Sequence, residues 1–388
     1  MAMAESDSRF HKVTKVFILA GEASGDAYGG TLVRALRDIN PDIEIRCWGG
    51  EQMESAGATV LRHYRSLAFM GIWEVIKNLR TIRKRWKECL HELESFQPDA
   101  FVGIDYPGFN LRIARHAHKT GIQTHHYISP SVWAWKKNRI HAISRDVDHL
   151  HVILPFEAEW YAKEGMKVNW VGHPLIELLE MQKAQKSEDE LAPGLIMNPS
   201  QLPILLLLPG SRKQELERML PMMIQSTQEL PHFFPVIAGA PGRTNEDYSE
   251  AIQAEIPVIF DRTRDLMNSA DVALVTSGTA TLEAALLGLP HVICYRTSGI
   301  TYRLARWWVE SQWIGLPNIL LQRTAVPECI QHDCTGSLLA EQIKQLHSER
   351  GLTTQGEEQK QAFVELRGKL KVKDSPSELV ARAILQSC

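Results

Sequence analysis

The segment VFILAGEASGD (residues 16–26) decides the fold class: an apolar run ends at Ala20, a turn of small residues follows, and a helix-forming stretch begins. Small residues let the backbone approach a ligand, and the N–H groups at a helix start favour an anion. The same order of strand, turn and helix returns in ILLLLPGSRK (204–213) and VALVTSGTATLE (272–283). This alternation predicts parallel sheets covered by helices on both faces.

Two series of apolar runs predict two such sheets. The predicted strands are 16–20, 100–104, 122–128, 149–154 and 168–172, then 204–210, 234–240, 256–260, 272–276 and 291–295. Residues 177–201, rich in Gln, Lys, Glu, Pro and Asn, predict a linker and the first helix of a second domain.

We therefore predict two Rossmann-like, doubly wound domains that face each other across a cleft. They cover residues 1–175 and 176–355, and ligands are expected at the carboxyl ends of their strands. Two helical stretches, 336–348 and 356–387, follow without a strand between them. Whether the segment 356–388 packs back on the first domain stays open.

The composition excludes several classes of protein. The 388 residues carry 43 Lys and Arg against 46 Asp and Glu, a balance that argues against a dedicated nucleic-acid-binding protein. The six cysteines are scattered without a CxxC pair, which favours a reducing cytoplasm. The N-terminus lacks a signal-peptide pattern, and no apolar run approaches the roughly 20 residues of a membrane span. Any membrane contact is therefore expected to be peripheral.

Two turns of the first domain contain candidate catalytic carboxylates. Glu22 and Asp26 follow the first strand, and Asp105 lies in GIDYPGFN (103–110), where a strand ends and a general base belongs. Alternatively, Asp26 caps the helix that follows it, and Asp105 starts a turn and caps a helix beginning near Asn110. The sequence leaves both interpretations open.

In the second domain, two turns suit a nucleotide diphosphate. An Arg at a helix start can make paired hydrogen bonds to phosphate, while hydroxyl and N–H groups bind a diphosphate without a metal. The candidates are Ser211, Arg212, Ser277, Gly278, Thr279 and, for the ribose hydroxyls, Glu283. Alternatively, Thr279 caps its helix and Glu283 faces solvent. The histidines lack metal-ligand spacing, so no metal is expected.

Residues 62–88 carry eight Lys and Arg but only two Glu. Apolar residues recur through them at helical spacing, which predicts a basic amphipathic helix for a membrane surface or a lipid. An ordinary helix with a solvated basic face would give the same pattern. The predicted lipid-contacting residues are Phe69, Met70, Ile72, Trp73, Ile76, Arg80, Arg83 and Arg85.

Together these motifs resemble those of the lipid-A-disaccharide synthases, glycosyltransferases of the GT-B superfamily. The similarity runs from about Lys15 to Pro327. It includes AGEASGD (20–26), MGIWEV (70–75), GIDYPGFN (103–110), SPSVWAW (129–135), LPFE (154–157), VGHP (171–174), LPGSR (208–212), TSGTATLE (276–283) and GLPN (315–318). The resemblance implies inverting transfer of 2,3-diacylglucosamine from UDP to the 6-hydroxyl of 2,3-diacylglucosamine 1-phosphate (lipid X). The products would be lipid A disaccharide 1-phosphate and UDP.

The resemblance also implies roles and partners. Asp105 would be the base, Glu22 and Asp26 would orient sugar hydroxyls, Arg212 would stabilise the departing UDP, and Asn318 would contact the nucleotide or donor sugar. The expected partners are UDP-2,3-diacylglucosamine, lipid X and the anionic cytoplasmic face of the inner membrane, with no nucleic acid and no cofactor. The oligomeric state stays open.

Two other functions fit parts of the pattern. A UDP-sugar epimerase shares the two-domain plan and the diphosphate site, but it would not need the basic amphipathic helix. A non-catalytic lipid- or nucleotide-binding module would not need candidate sites in both domains.

Overall fold

The structure is a computed structural model that describes residues 14–67, 79–133, 139–185, 198, 201–297 and 312–387. The chain divides into two units: the first comprises Met1–Glu180 and Leu370–Cys388, and the second comprises Met181–Lys369. The boundaries predicted from the sequence were 175 and 355. The units divide instead after Glu180 and after Lys369, so the final helical segment is shared between them.

The first unit contains a seven-stranded sheet in which every pair of neighbours is parallel. Its strands are β1 (Lys15–Ala20), β2 (Glu44–Gly49), β3 (Thr59–His63), β4 (Ala100–Ile104), β5 (Gln123–Tyr127), β6 (His149–Val152) and β7 (Asn169–Trp170). They lie in the order β3-β2-β1-β4-β5-β6-β7. The order therefore reverses between β1 and β4.

Helices connect these strands, as parallel pairing requires. In the first unit they are α1 (Ala23–Ile39), α2 (Glu51–Ser55), α3 (Leu79–Phe96), α4 (Pro107–Lys119), α5 (Arg139–Asp146) and α6 (Pro155–Lys163). The next helix, α7 (Pro174–Gln185), begins in the first unit and continues past the boundary at Glu180. The buried aromatic side chains of Phe17, Trp48, Phe101 and Phe109 belong to one apolar core with residues of α3 and α4.

The second unit repeats the plan with six parallel strands. These are β8 (Ile204–Leu208), β9 (Phe234–Gly239), β10 (Val258–Phe260), β11 (Val272–Thr276), β12 (His291–Tyr295) and β13 (Glu328–Ile330). Their order, β10-β9-β8-β11-β12-β13, reverses between β8 and β11. Alternate leucines of β8 enter different cores, Leu205 and Leu207 one and Leu206 and Leu208 the other, because successive strand residues face opposite sides.

The helices of the second unit cover the same sheet. They are α8 (Lys213–Thr227), α9 (Ser249–Gln253), α10 (Thr263–Ser269), α11 (Thr279–Leu286), α12 (Leu316–Leu321), α13 (Gly336–Leu346) and α14 (Thr354–Leu370). The last of these is tied to the sheet by the buried amide of Gln359. It accepts a hydrogen bond from the His291 N–H at 2.7 Å and donates one to the His291 carbonyl at 3.2 Å.

The chain ends with α15 (Pro376–Gln386), which packs against α1 in the first unit. The expectation of one helix over 356–387 is wrong, because the helix stops at Leu370 and a second one starts at Pro376, whose ring favours a first helical position. A short antiparallel pair, β14 (His347–Ser348) and β15 (Gly351–Leu352), also lies where no strand was expected.

The prediction of two doubly wound parallel sheets is confirmed. The prediction of one basic helix over residues 62–88 is wrong at its start. Arg62 lies in β3 and Arg65 lies in a short 3₁₀ turn. Residues 68–78 lie outside the described residues, and α3 covers Leu79–Phe96. No helix among the described residues combines the length and apolar composition needed to cross a membrane.

Candidate functional site

In each sheet the strand order reverses between two adjacent strands, which together form its switch point. The candidate motifs follow these two strands. In the first unit, Glu22 follows β1 and Asp105 follows β4; in the second, Arg212 follows β8 and Ser277 follows β11. In open α/β sheets the crevice for a ligand lies beside such switch points, at the carboxyl ends of the strands. Each unit therefore presents its candidate residues at the position where this fold binds ligands.

The two acidic residues after β1 have different surroundings. Asp26 is only 2% exposed, and its carboxylate accepts backbone N–H groups of Gly50, Gln52 and Met53 at 2.7 to 3.2 Å. It therefore caps the start of α2 rather than of its own helix. Glu22 is half-buried and is the N-cap residue of α1. Of the two, Glu22 is placed at the turn that a ligand would approach.

Asp105 and Tyr106 form a strained pair at the end of β4. Their φ angles are 44° and 46°, in the left-handed region that non-glycine residues rarely adopt. Each such residue costs on the order of 1–3 kcal/mol and persists only where its surroundings hold it, which is common at functional sites. Burial raises the pKa of Asp105, against the lowering effect of the Tyr106 backbone N–H.

The ring of Tyr106 lies directly against Gly21. A Cβ atom at Gly21 would come within 2.4 Å of the ring, so the glycine is what lets the β1 turn approach the β4 turn. The Tyr106 hydroxyl donates a hydrogen bond to the Leu67 carbonyl at 2.9 Å. Burial and the charge of Glu22 both raise the pKa of Tyr106. The turns after β1 and β4 are thus packed together as one surface.

A buried carboxylate lies after β6, another strand of the same sheet. Glu157, 1% exposed, accepts the backbone N–H groups of Ile153 and Leu154 at 3.2 and 3.0 Å. Burial raises the pKa of Glu157 to about 7, against the lowering effect of those N–H groups. Glu157 belongs to the LPFE motif (154–157), for which the sequence predicted no role. A Glu three residues after the N-cap position of a helix is the signal that could have found it.

Glu157 should make the stability of the protein depend on pH. In the folded state it keeps its proton up to about pH 7, while an unfolded glutamate titrates near 4.5. The raised pKa of Glu157 therefore adds up to about 3 kcal/mol to the free energy of unfolding. This contribution is full below pH 4.5 and is lost as the pH rises through 7. We expect Glu157→Gln to reduce this slope, measured as the free energy of unfolding in urea from pH 4.5 to 8.

The exposed Glu159 on the same helix provides the matched control. Its side chain is 76% exposed, so Glu159→Gln should leave the slope as in the parent protein. An unchanged slope in Glu157→Gln would show that Glu157 is not the source of the pH dependence of stability.

In the second unit, the turn after β8 presents Ser211 and Arg212 to solvent. Gly210 has a φ of 106°, and a Cβ there would lie 2.8 Å from Glu215, so glycine is required for this tight turn. Arg212 is the N-cap residue of α8, and its guanidinium pairs with Glu215 at 3.3 Å while remaining 60% exposed. The Arg243 guanidinium donates to the Ser211 carbonyl at 3.1 Å. Two guanidinium groups therefore lie beside this turn.

The turn after β11 presents the start of α11. Gly278 is the N-cap residue, and Gly278 and Thr279 are exposed. The Ser277 hydroxyl donates to the Ile314 carbonyl at 3.3 Å. The helix therefore opens with small residues and accessible backbone N–H groups, as a phosphate site requires.

Two predicted nucleotide contacts are engaged within the protein. Glu283 forms an ion pair with Arg264, a residue that the sequence analysis did not single out. Asn318 is 0% exposed and makes four hydrogen bonds: its amide group donates to Val326 and Glu328, and its oxygen accepts from Ala325 and Val326. Since an asparagine amide has two donors and two acceptor positions, Asn318 holds its own loop and has no further group for a ligand.

Several predicted lipid contacts fall outside the described residues, namely Phe69, Met70, Ile72, Trp73 and Ile76. Arg80 and Arg83 are exposed on α3, whereas Arg85 is half-buried and pairs with Glu88 at 2.9 Å. Within the described ranges, no three His, Cys, Asp or Glu side chains are grouped to hold a metal ion.

The fold has solved counterparts among sugar-nucleotide enzymes. The chain matches a putative UDP-N-acetylglucosamine 2-epimerase from Listeria monocytogenes, with a TM-score of 0.64 and 12% identity over 96% of this chain and 95% of that one. It also matches a UDP-GlcNAc 2-epimerase from Methanocaldococcus jannaschii, with a TM-score of 0.63 and 15% identity over 95% and 99%. At these identities the likeness shows the fold alone. The fold and the paired switch-point turns define the GT-B class.

Sequence similarity assigns the family within this class. The family model described as Lipid-A-disaccharide synthetase matches residues 16–383. The Lipid-A-disaccharide synthase of Chromobacterium violaceum is 37% identical over 383 residues, which cover 96% of this chain and 97% of that protein. The chain belongs to the lipid-A-disaccharide synthetase family, and it is an enzyme with the activity that the family name states.

Proposed function

We propose that the chain transfers 2,3-diacylglucosamine from UDP to the 6-hydroxyl of 2,3-diacylglucosamine 1-phosphate. The products are lipid A disaccharide 1-phosphate and UDP, with inversion at the anomeric carbon. The observation that carries the proposal is the placement of the family's motifs at both switch points. A carboxylate with a raised pKa follows β4 in one unit, and an arginine at a helix start follows β8 in the other.

In the first unit, Asp105 is the general base. Its carboxylate takes the proton from the acceptor 6-hydroxyl as that oxygen forms a bond to the anomeric carbon. The bond between the anomeric carbon and the diphosphate oxygen breaks, and UDP leaves with the electron pair. Burial suits Asp105 to this step because a raised pKa makes a carboxylate a stronger base at neutral pH. Glu22 lies at the neighbouring turn and orients a sugar hydroxyl.

In the second unit, the turn residues hold the UDP that leaves. Arg212 keeps most of its guanidinium exposed and offers paired N–H donors to phosphate. Ser277, Gly278 and Thr279 place the start of α11 toward the diphosphate, where its N–H groups and dipole stabilise negative charge. These groups are fixed before the reaction, so they stabilise developing charge without reorganising. We propose that they act without a metal ion.

The reaction is tested with the purified chain and both diacylated glucosamine substrates, with and without EDTA. We expect mass spectrometry to detect UDP and the disaccharide 1-phosphate at equal rates in both samples. An epimer formed from the UDP-sugar alone would instead support the epimerase alternative. UDP binding without consumption of the donor would support a binding module, and full dependence on manganese would contradict metal-free catalysis.

We further propose that α3 contributes to contact with an anionic membrane surface. Arg80 and Arg83 are exposed, so the double variant Arg80→Glu/Arg83→Glu should weaken binding to anionic phospholipid vesicles roughly tenfold or more. Each basic side chain near such a surface contributes about 1 kcal/mol. Vesicle co-sedimentation at fixed ionic strength measures the change.

The matched control reverses the same number of charges elsewhere in the first unit. Lys119 and Lys163 are exposed at the ends of α4 and α6, so Lys119→Glu/Lys163→Glu changes the net charge equally. If both double variants weaken vesicle binding equally, the effect depends on net charge alone, and this would contradict a specific role for α3.

A further inference from the structure

Asn110 lies in the first turn of α4 and is 0% exposed. Its side-chain nitrogen lies within hydrogen-bond distance of three main-chain carbonyl oxygens: Asp105 at 2.7 Å, Ile104 at 3.2 Å and Leu19 at 3.3 Å. These carbonyls belong to the end of β1, the end of β4 and the candidate base itself. One buried amide therefore connects both strands of the switch point to Asp105.

The shortest of these bonds acts on the strained part of the backbone. Asp105 and Tyr106 are both in the left-handed region, and such conformations persist only where neighbouring groups fix them. On one side, the Asp105 N–H donates to the Tyr127 carbonyl at 2.8 Å. On the other side, the Asp105 carbonyl accepts from Asn110. The peptide groups flanking Asp105 are thus held from two directions.

The chemistry of the site selects asparagine. Three carbonyl oxygens converge on one atom, and only a donor can satisfy them. An aspartate would place a carboxylate oxygen against these oxygens, and alanine would leave buried carbonyls without this donor. Gly103 leaves the required space, because a Cβ there would lie 3.0 Å from the Asn110 Cβ.

We propose that Asn110 is a positioning residue that directs the Asp105 carboxylate by holding its main chain in the left-handed conformation. This inference rests on the proposed role of Asp105 as the base. Asn110 itself does not touch the acceptor; it acts through the backbone of Asp105. A displacement of a reacting group by about 1 Å can cost 10²-fold in rate, so loss of this bond should appear in turnover.

The experiment compares Asn110→Ala and Asn110→Ser with Thr124→Val. Thr124 is buried in the same sheet at the opposite end of β5, where its hydroxyl oxygen lies 3.1 Å from the Asp146 carbonyl oxygen and 2.8 Å from the Asp148 carboxylate. We expect Asn110→Ala to lower kcat roughly 10- to 100-fold, with both KM values and UDP affinity within about twofold. Asn110→Ser keeps one donor and should lose less. Thr124→Val should lower the melting temperature and leave kcat within about twofold.

The pH profile separates positioning from general destabilisation. Relaxation of the pair would remove the Tyr106 N–H from the Asp105 carboxylate, a contact that lowers the pKa of this group. The acid limb of the kcat profile should therefore move to higher pH in Asn110→Ala and stay in place in Thr124→Val. If Asn110→Ala does not fold, Asn110→Ser carries the same test.

Two results would overturn the proposal. The first is that the Asn110 variants keep the parent kcat and acid limb while Asp105→Asn is inactive. This result would contradict the positioning role of Asn110 and would still support Asp105 as the base. Full turnover in Asp105→Asn would remove the base and, with it, the role of Asn110. The parallel Asp105 variant therefore shows which of the two assignments has failed.

Discussion

Replacing Asp105 by Asn is expected to lower kcat roughly 10²- to 10⁴-fold, the usual contribution of a general base. The variant keeps the shape of the side chain and removes its ability to accept the proton of the acceptor hydroxyl. Asparagine also tolerates the left-handed backbone that this position requires. Affinity for UDP should stay within about twofold, because the proposed UDP site lies in the other unit. Initial rates with both substrates and calorimetry with UDP measure the two quantities.

Asp99→Asn is the matched control for this prediction. Asp99 lies beside the amino end of β1, where its carboxylate accepts the backbone N–H groups of Thr14 and Lys15 at 2.8 and 2.9 Å. This variant should lose stability but keep kcat within about twofold. A parallel loss of turnover and UDP affinity in Asp105→Asn would indicate a structural role for Asp105.

Replacing Arg212 by Ala is expected to lower kcat/KM for the UDP-sugar roughly 10²- to 10³-fold, as is typical for loss of one donor to developing charge. The side chain is 60% exposed, so the change should have little effect on folding. Arg212→Lys keeps the charge but loses the planar pair of donors, and it should recover only part of the rate. Steady-state kinetics at varied donor concentration measures both variants.

Lys344→Ala removes one positive charge from an exposed position on α13 of the same unit. Its kcat/KM should stay within about twofold of the parent value. Equal kinetics in Arg212→Ala and Lys344→Ala would contradict the assignment of Arg212 to the leaving diphosphate.

Strands that are buried on both faces could be predicted from the sequence. The predicted ranges 100–104, 272–276 and 291–295 agree with β4, β11 and β12, because their runs of apolar residues are short and bounded by turn residues. The strands β2 and β3 were missed since charged residues such as Glu44, Arg46 and Arg62 interrupt their apolar pattern. The candidate turns could be placed at the strand ends because they directly follow the predicted strands in the sequence.

The partners of the site residues could not be predicted in the same way. Asp26 accepts N–H groups 24 to 27 residues away, and Glu283 pairs with Arg264, 19 residues before it. These contacts depend on which strands become neighbours, a property of the folded sheet rather than of a motif. The sequence therefore located the turns, whereas the structure shows that the side chains of Asp26 and Asn318 are engaged within the protein.

The fold by itself does not select the reaction. Epimerase structures share the architecture at 12% and 15% identity, which shows a common fold alone. The family match over residues 16–383 makes the distinction.

We propose that the second unit holds the UDP that leaves while the first unit supplies the base. Hydrogen exchange of the intact protein with and without UDP, measured by mass spectrometry, tests these two roles most directly. We predict slower exchange in peptides covering residues 208–215 and 276–283, with little change in those covering 20–26 and 103–110. Protection confined to the two first-unit segments would contradict the account.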